Sequence, residues 1–256
     1  MDIRQKLHEY YLKQGIAVPD FHCKNEADCV KAVHGALLWH GSEAHVGAHY
    51  GEPFRLVIVS LDRGDGSDDV WQRSACIEGL YPPGPNPHMR GTFATLAAVL
   101  PAVERTQDLW KHFAMTNAAK CCHKKQGMQA VPQSLYDRCS EYTFGELAVL
   151  DPQLVITQGN CAKSVLMSIS RPIEIELRNQ LVRAHRDPIA TRTMNTQEII
   201  QRYISWIDIG GKCVPWLHTC HPSTWQGGLW QKYLKEVLPT ASLIVLDLVN
   251  TLSQEQ

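Results

Sequence analysis

The stretch Arg55-Leu56-Val57-Ile58-Val59-Ser60 decides the fold. Its unbroken aliphatic run, rich in β-branched residues and free of polar alternation, suits a strand covered on both faces, as in a parallel sheet flanked by helices. The strand runs into Leu61-Asp62-Arg63-Gly64-Asp65-Gly66-Ser67-Asp68-Asp69, a Gly- and Asp-rich loop at its carboxyl end. Open α/β sheets place their sites there. Working outward, three more apolar runs read as strands: 113–117, 153–158 and 214–218. Helical patterns lie between them at 92–103, at 134–150 up to the stop Asp151-Pro152, and from Gly159 onward. Alternation of this kind predicts an α/β fold, a three-layer α/β/α sandwich around a central, mostly parallel four-stranded sheet. The apolar run 243–246 reads as a further edge strand.

A chain of 256 residues buries a full core, and one domain spanning 1–256 is the expectation. An N-terminal segment, 1–50, carries a helix at 1–14 and a second at 27–38; the basic, less readable stretch 171–212 reads as an insertion that includes a helix at 197–206. Composition is that of ordinary globular proteins, and no apolar run approaches the roughly 18 residues of a membrane span. The charged start Met1-Asp2-Ile3-Arg4-Gln5-Lys6 has no apolar signal region, so a cytoplasmic location without a membrane partner is expected. Nine cysteines in such a compartment point to metal binding or catalysis before disulfides. The net charge of -1 gives no global basic field, so any nucleic-acid contact must rest on local patches such as Lys120, His123, Lys124 and Lys125.

Three sites thus fall at carboxyl ends of three parallel strands: the Asp62 loop, Thr116-Asn117-Ala118-Ala119-Lys120-Cys121, and Thr219-Cys220-His221-Pro222-Ser223-Thr224-Trp225. In that order they resemble the uracil-DNA glycosylase superfamily. Asn117-Ala118-Ala119-Lys120-Cys121, then Cys139, Leu150-Asp151-Pro152 and His221-Pro222-Ser223 look most like its four-cysteine iron–sulfur branch. The similarity covers roughly residues 55 to 225 and departs in the first motif. Where that branch has Gly-Glu-Ala-Pro-Gly, this chain has Ser60-Leu61-Asp62-Arg63-Gly64.

The resemblance implies a monomeric enzyme that acts on DNA and removes a base. Carried over, Cys23, Cys29, Cys121 and Cys139 would hold a [4Fe-4S] cluster that pins loops near DNA, with Cys122 as a substitute for Cys121 and zinc or four free thiols as alternatives. Catalysis would fall to Asp62, which orients water or stabilises the cationic sugar, and His221, a donor to the pyrimidine O2. Asp65, Asp68 and Asp69 are alternative carboxylates. Asn117 would pair with the base through its amide, a pattern that suits uracil or, rotated, cytosine. The most uracil-selective members carry a Tyr where this chain has Gly64, and the usual stacking Phe is missing, with Tyr81 or His88 as replacements. An open pocket of this kind raises a second substrate, a bulky 5-modified cytosine of phage DNA, and with it a role in defence. Ser223, Trp225, Lys120 and Lys124 are the expected DNA contacts, Trp225 as a wedge or as core packing. A non-catalytic iron–sulfur nucleic-acid binder is the remaining alternative.

Overall fold

The computed structural model describes residues 2–17, 20–34, 38–40, 43–61, 87–103, 106–123, 132–185, 194–222 and 228–254. The chain opens with α1 (Ile3–Gln14), capped by the Asp2 carboxylate and ended by Gly15 in the left-handed region. There follow α2 (Glu26–Ala32), β1 (Leu38–His40), β2 (His45–Val46), β3 (Leu56–Ser60), α3 (Pro87–Val99) and β4 (Phe113–Asn117). Next come β5 (Cys121–His123), α4 (Gln133–Leu150), β6 (Leu154–Gln158), α5 (Asn160–Leu166), β7 (Ser170–Arg171) and α6 (Ile175–Ala184). The chain closes with α7 (Thr196–Tyr203), β8 (Ile204–Ile209), β9 (Lys212–Thr219) and α8 (Leu229–Gln254), the last containing a π-helical turn at Tyr233–Val237.

The sheet has seven strands in the order β2-β4-β3-β6-β9-β8-β7. Its centre, β4-β3-β6-β9, is the expected parallel set. The expectation of four strands is corrected at the edges, where β2, β8 and β7 add antiparallel pairs. The stretch 171–212 supplies two helices and strand β8, so it extends the sheet. A second correction concerns 243–246, which lies inside α8. Ile244, Val245, Leu248 and Val249 are buried there while Leu243 is exposed, the stripe of a helix packed on one side. By length and composition α8 could cross a membrane, but half of its most apolar window is buried against the rest of the fold.

Side chains alternate across the central strands. Val57, Val59, Ala114, Val155 and Trp216 join one core with residues of α1, α4 and α5. Leu56, Ile58, Phe113, Met115, Ile156 and Leu217 join the other with α3, α7 and α8. Helices therefore cover both faces, which is why these strands read as continuous apolar runs.

One polar group sits deep in the first face. Trp216 donates through Nε1 to Thr157 Oγ1 at 2.9 Å, and Thr157 Oγ1 lies 3.3 Å from His218 Nδ1. Burial, assisted by the Lys163 charge, pushes the His218 imidazole down from 6.5 to about 3. The folded imidazole stays neutral where the unfolded one takes a proton, so stability is undiminished above pH 6.5 and falls as pH drops from 6.5 toward 3. Thermal unfolding followed against pH should show that acid limb, and His218→Asn should flatten it by up to about 1.4 kcal/mol per pH unit. An unchanged slope would remove His218 as its source.

Candidate functional site

Each central parallel strand closes on a polar residue: Ser60, Asn117, Gln158 and Thr219, all buried. Ser60 pairs in register with Asn117, and Gln158 with Thr219. The ladder runs one step beyond the strands, with Ala118 N–H to Ser60 O (2.8 Å), Ala119 N–H to Leu61 O (2.9 Å) and Gly159 N–H to Thr219 O (2.9 Å). These bonds hold the four chain ends side by side. At an inter-strand spacing of about 4.8 Å, Asn117 on β4 and Gln158 on β6 stand roughly 10 Å apart with Ser60 between them.

Asn117 is only 3% exposed. Its Oδ1 accepts from Ser60 Oγ at 2.8 Å, and Ser60 Oγ is also 3.2 Å from Thr116 O. The Asn117 Nδ2 has no hydrogen-bond partner among the described residues. Turning the amide over would exchange the roles and leave the oxygen unpartnered instead. Either way one half of a buried amide is held by Ser60, and the other half has no partner among the described residues. A buried group without a partner costs about 1–3 kcal/mol, so a persistent orphan at a strand end marks a binding position.

Two strands along, His88 at the start of α3 donates from Nε2 to Gln158 Oε1 at 3.0 Å. The assignment follows from Thr92, whose hydroxyl donates to His88 O (3.0 Å) and so accepts from Gln158 Nε2 (2.9 Å). His88 in turn stacks on His221, ring centroids 5.1 Å apart and planes 20° from parallel. Two glycines let His221 and Pro222 approach so closely. A Cβ on Gly159, whose φ is +91°, would stand 3.1 Å from the His221 Cβ, and one on Gly91 would stand 2.4 Å from the Pro222 Cβ. The structure thus brings together two of the expected site residues, His88 and His221, at the edge where Asn117 also ends its strand.

Lys120 is a correction. Expected as a DNA-facing cation, it is 4% exposed, and its ammonium donates to Glu146 Oε2 (2.5 Å), Thr116 Oγ1 (2.9 Å) and the Asn117 carbonyl (2.5 Å). Glu146 also accepts from Thr116 Oγ1 (2.6 Å) and Tyr11 Oη (2.8 Å). Burial, with the Glu146 charge beside it, holds the Tyr11 phenol well above its ordinary range. A residue three positions past the strand has folded back beneath it, and the ion pair anchors the backbone of Asn117.

Three of the four expected cysteine ligands, Cys23, Cys29 and Cys139, are near enough to act on one another electrostatically, and Cys121 belongs to the same core. Cys29, Cys121 and Cys139 are buried in the first core, and Cys23 packs against it. Burial pushes the Cys139 thiol up to about 11, with Cys23 and Cys29 adding to the rise. Burial likewise raises Cys29, again with Cys23 contributing. Among the described residues no group of three or more His, Cys, Asp or Glu is arranged to hold a metal ion. The surroundings nevertheless suit thiolates, because Lys120 N–H points to Cys139 Sγ (3.3 Å), and Asn25 N–H (3.4 Å) and Tyr142 Oη (3.4 Å) lie on Cys23 Sγ. Hydrogen bonds of this type stabilise metal-bound sulfur. In donor chemistry the set fits a thiolate-bound group.

Asp62, Gly64, Asp65, Asp68, Asp69, Tyr81, Lys124, Lys125, Ser223 and Trp225 lie outside the described residues, as do the side chains of Cys122 and His123. Sequence reasoning did not pick out Ser60, Gln158 or Glu146. For the first two a signal was present, since a polar residue ends each aliphatic strand; Glu146 gave none. No protein-family model and no curated protein sequence matches the chain.

Proposed function

We propose that the protein is a DNA glycosylase related to the uracil-DNA glycosylase superfamily, nearest its four-cysteine iron–sulfur branch, which excises a flipped-out pyrimidine and leaves an abasic site. The observation that carries this reading is Asn117: a buried amide, half bound to Ser60 and half unpartnered, at the carboxyl edge of a parallel sheet. A base inside a duplex is out of reach, so the target nucleotide must leave the stack; Trp225 is assigned to brace the gap, and Ser223, with its turn, to bind phosphate through backbone N–H groups. Lys124 is assigned to the strand.

In the reaction, water adds to the sugar C1′ and the bond from C1′ to the base nitrogen breaks. The bonding electron pair leaves with the base, and its charge spreads onto O2. Asn117 holds the base edge, and His221 donates a hydrogen bond that strengthens as O2 becomes negative. Asp62 orients the water and accepts its proton. His88, stacked on His221 and tied to Gln158, fixes the plane of that imidazole. Lys120 acts at one remove, holding the Asn117 backbone. Cys23, Cys29, Cys121 and Cys139 would hold the [4Fe-4S] cluster, which when bound supplies a rigid cross-link between the N-terminal segment and the loop after β4 rather than electron transfer.

A second substrate is favoured by one feature of the sequence. Gly64, two residues after Asp62, stands in sequence where the most uracil-selective members of the resembled superfamily carry a Tyr that would exclude substituents at C5. That suits a hydroxymethylated or glucosylated cytosine, and Asn117 pairs with cytosine in its rotated form. The test is abasic-site formation on uracil-containing DNA, plain DNA and phage DNA with hydroxymethylated or glucosylated cytosine, with His221→Ala alongside. Loss of one oxyanion-type donor should lower excision by about 10²–10³-fold. Excision of uracil alone makes this a repair enzyme, and excision of modified phage DNA alone makes the widened pocket its function. No excision of any substrate, with DNA still bound, would overturn the enzyme in favour of a binding protein. Protein prepared without air should carry iron and sulfide; a colourless zinc-loaded or metal-free preparation would remove the cluster.

A further inference from the structure

A cavity of about 390 Å³ opens at the same carboxyl-terminal edge of the sheet, beyond β9 and between α5, β7 and the end of α7. His218 and Trp216 form its floor, and Lys163, Arg171, Arg202 and Tyr203 stand around it. No Asp or Glu lines it among the described residues. Arg171 is committed to Glu174 at 3.4 Å and to Cys213 Sγ. The side chains of Lys163 and Arg202 have no hydrogen-bond or ion-pair partner among the described residues, and both reach solvent.

The floor is also a donor. Trp216 Nε1–H occupies Thr157 Oγ1 as an acceptor, so the Thr157 hydroxyl has its own proton to give to His218 Nδ1. A neutral imidazole that accepts at Nδ1 carries its hydrogen on Nε2. Of the remaining polar wall, Ser205 and Gln201 have O–H and N–H donors to offer, while the Ser170 hydroxyl donates to the Met167 carbonyl at 2.9 Å. Two uncompensated cations, a neutral ring N–H and no carboxylate describe a receptor for a tetrahedral oxyanion.

We propose that this cavity is a phosphate subsite that holds one backbone phosphate of the DNA strand beside the excised nucleotide, with Lys163 and Arg202 as its charged contacts. The DNA part of the proposal rests on the glycosylase reading; the phosphate part rests on the cavity alone. It also answers the chain's lack of a global basic field, since the net charge of -1 leaves strand binding to local cation pairs.

Binding of a labelled oligonucleotide would be followed by fluorescence anisotropy against salt for the full-length protein, Lys163→Gln, Arg202→Gln and the double variant. Both positions are partly or fully exposed, so folding is not at stake. Lys212→Gln is the control, because Lys212 pairs with Asp151 at the opposite end of β9. Each subsite variant should weaken binding about tenfold near 50 mM salt and reduce the slope of log K against log salt by about 0.7–0.9, with the control unchanged. If the double variant binds DNA with the parent slope, the subsite is wrong and the glycosylase reading stands. If the parent binds no DNA, the glycosylase reading fails, and titration with inorganic phosphate decides the cavity: binding lost in the double variant supports it, and no binding overturns it.

Discussion

Asn117→Ala should abolish base excision while leaving the protein as stable as before. Removing the amide forfeits one hydrogen bond from Ser60, but Ser60 keeps the Thr116 carbonyl within 3.2 Å. The same change deletes a buried Nδ2 that no described residue satisfies. A lost bond and a small void on one side, and a relieved orphan on the other, are each of order 1 kcal/mol, so the net change in unfolding free energy should stay within about 1 kcal/mol. Excision should respond very differently. A site built to hydrogen-bond a substrate group loses selectivity by about 10⁴–10⁵ when one partner is absent, and a loss of about 10³-fold or more in kcat/KM is the expected scale here. Asn117→Asp sharpens the test, because it keeps the acceptor for Ser60 yet puts a second acceptor where the donor stood. Chemical denaturation and single-turnover excision on the same preparations separate the outcomes. A stability loss near that of an ordinary buried deletion, or excision that survives, would make Asn117 a structural residue. A substitution that spares the fold and removes the activity is the mark of a group held unsatisfied for a ligand.

The legible parts of this chain were those whose physics is local. Each parallel strand carries its own sign, a short aliphatic run closed by Ser60, Asn117, Gln158 or Thr219, because a strand buried on both faces needs apolar residues at every position. The helix expected over 197–206 overlaps the first residues of β8, Ile204–Ile209. What overrides it is pairing with β9 across Gly210-Gly211, both at positive φ (62° and 82°) as a tight two-residue hairpin requires. That dipeptide was visible in the sequence and is the signal that should have arbitrated. The run 243–246 has no such arbiter, since a short apolar stretch suits a buried strand or a buried helix equally. The site divides in the same way. Asn117 and His221 stand at strand ends and could be found by position. Lys120 opens the basic stretch 120–125 and so reads as a surface cation, while the carboxylate that claims it, Glu146, is 26 residues away. Pairings of that kind arise only when the chain is folded.

Glu146→Ala should be among the most destabilising single changes in the protein. The carboxylate serves three donors, Lys120, Thr116 and Tyr11, and its removal leaves an ammonium 5% exposed at the side chain with only Thr116 Oγ1 and the Asn117 carbonyl for company. Breaking a buried pair from one side costs about 3–5 kcal/mol, because the surviving charge keeps its desolvation penalty and loses its compensation. Lys120→Met is the gentler half of the pair. Glu146 would retain two O–H donors, Thr116 Oγ1 and Tyr11 Oη. The double variant Lys120→Met with Glu146→Leu should recover most of the loss, since well-packed apolar replacements of buried pairs are often neutral. Urea unfolding of the two singles and the double closes a mutant cycle, and additive losses would show that the two groups act independently. Excision should not recover with stability. Lys120 Nζ holds the Asn117 carbonyl, so the double variant restores the fold but frees the strand end that carries the base-reading amide. A double variant as stable as the parent and equally active would reduce the ion pair to packing; one that is stable and impaired would identify it as the device that aims Asn117.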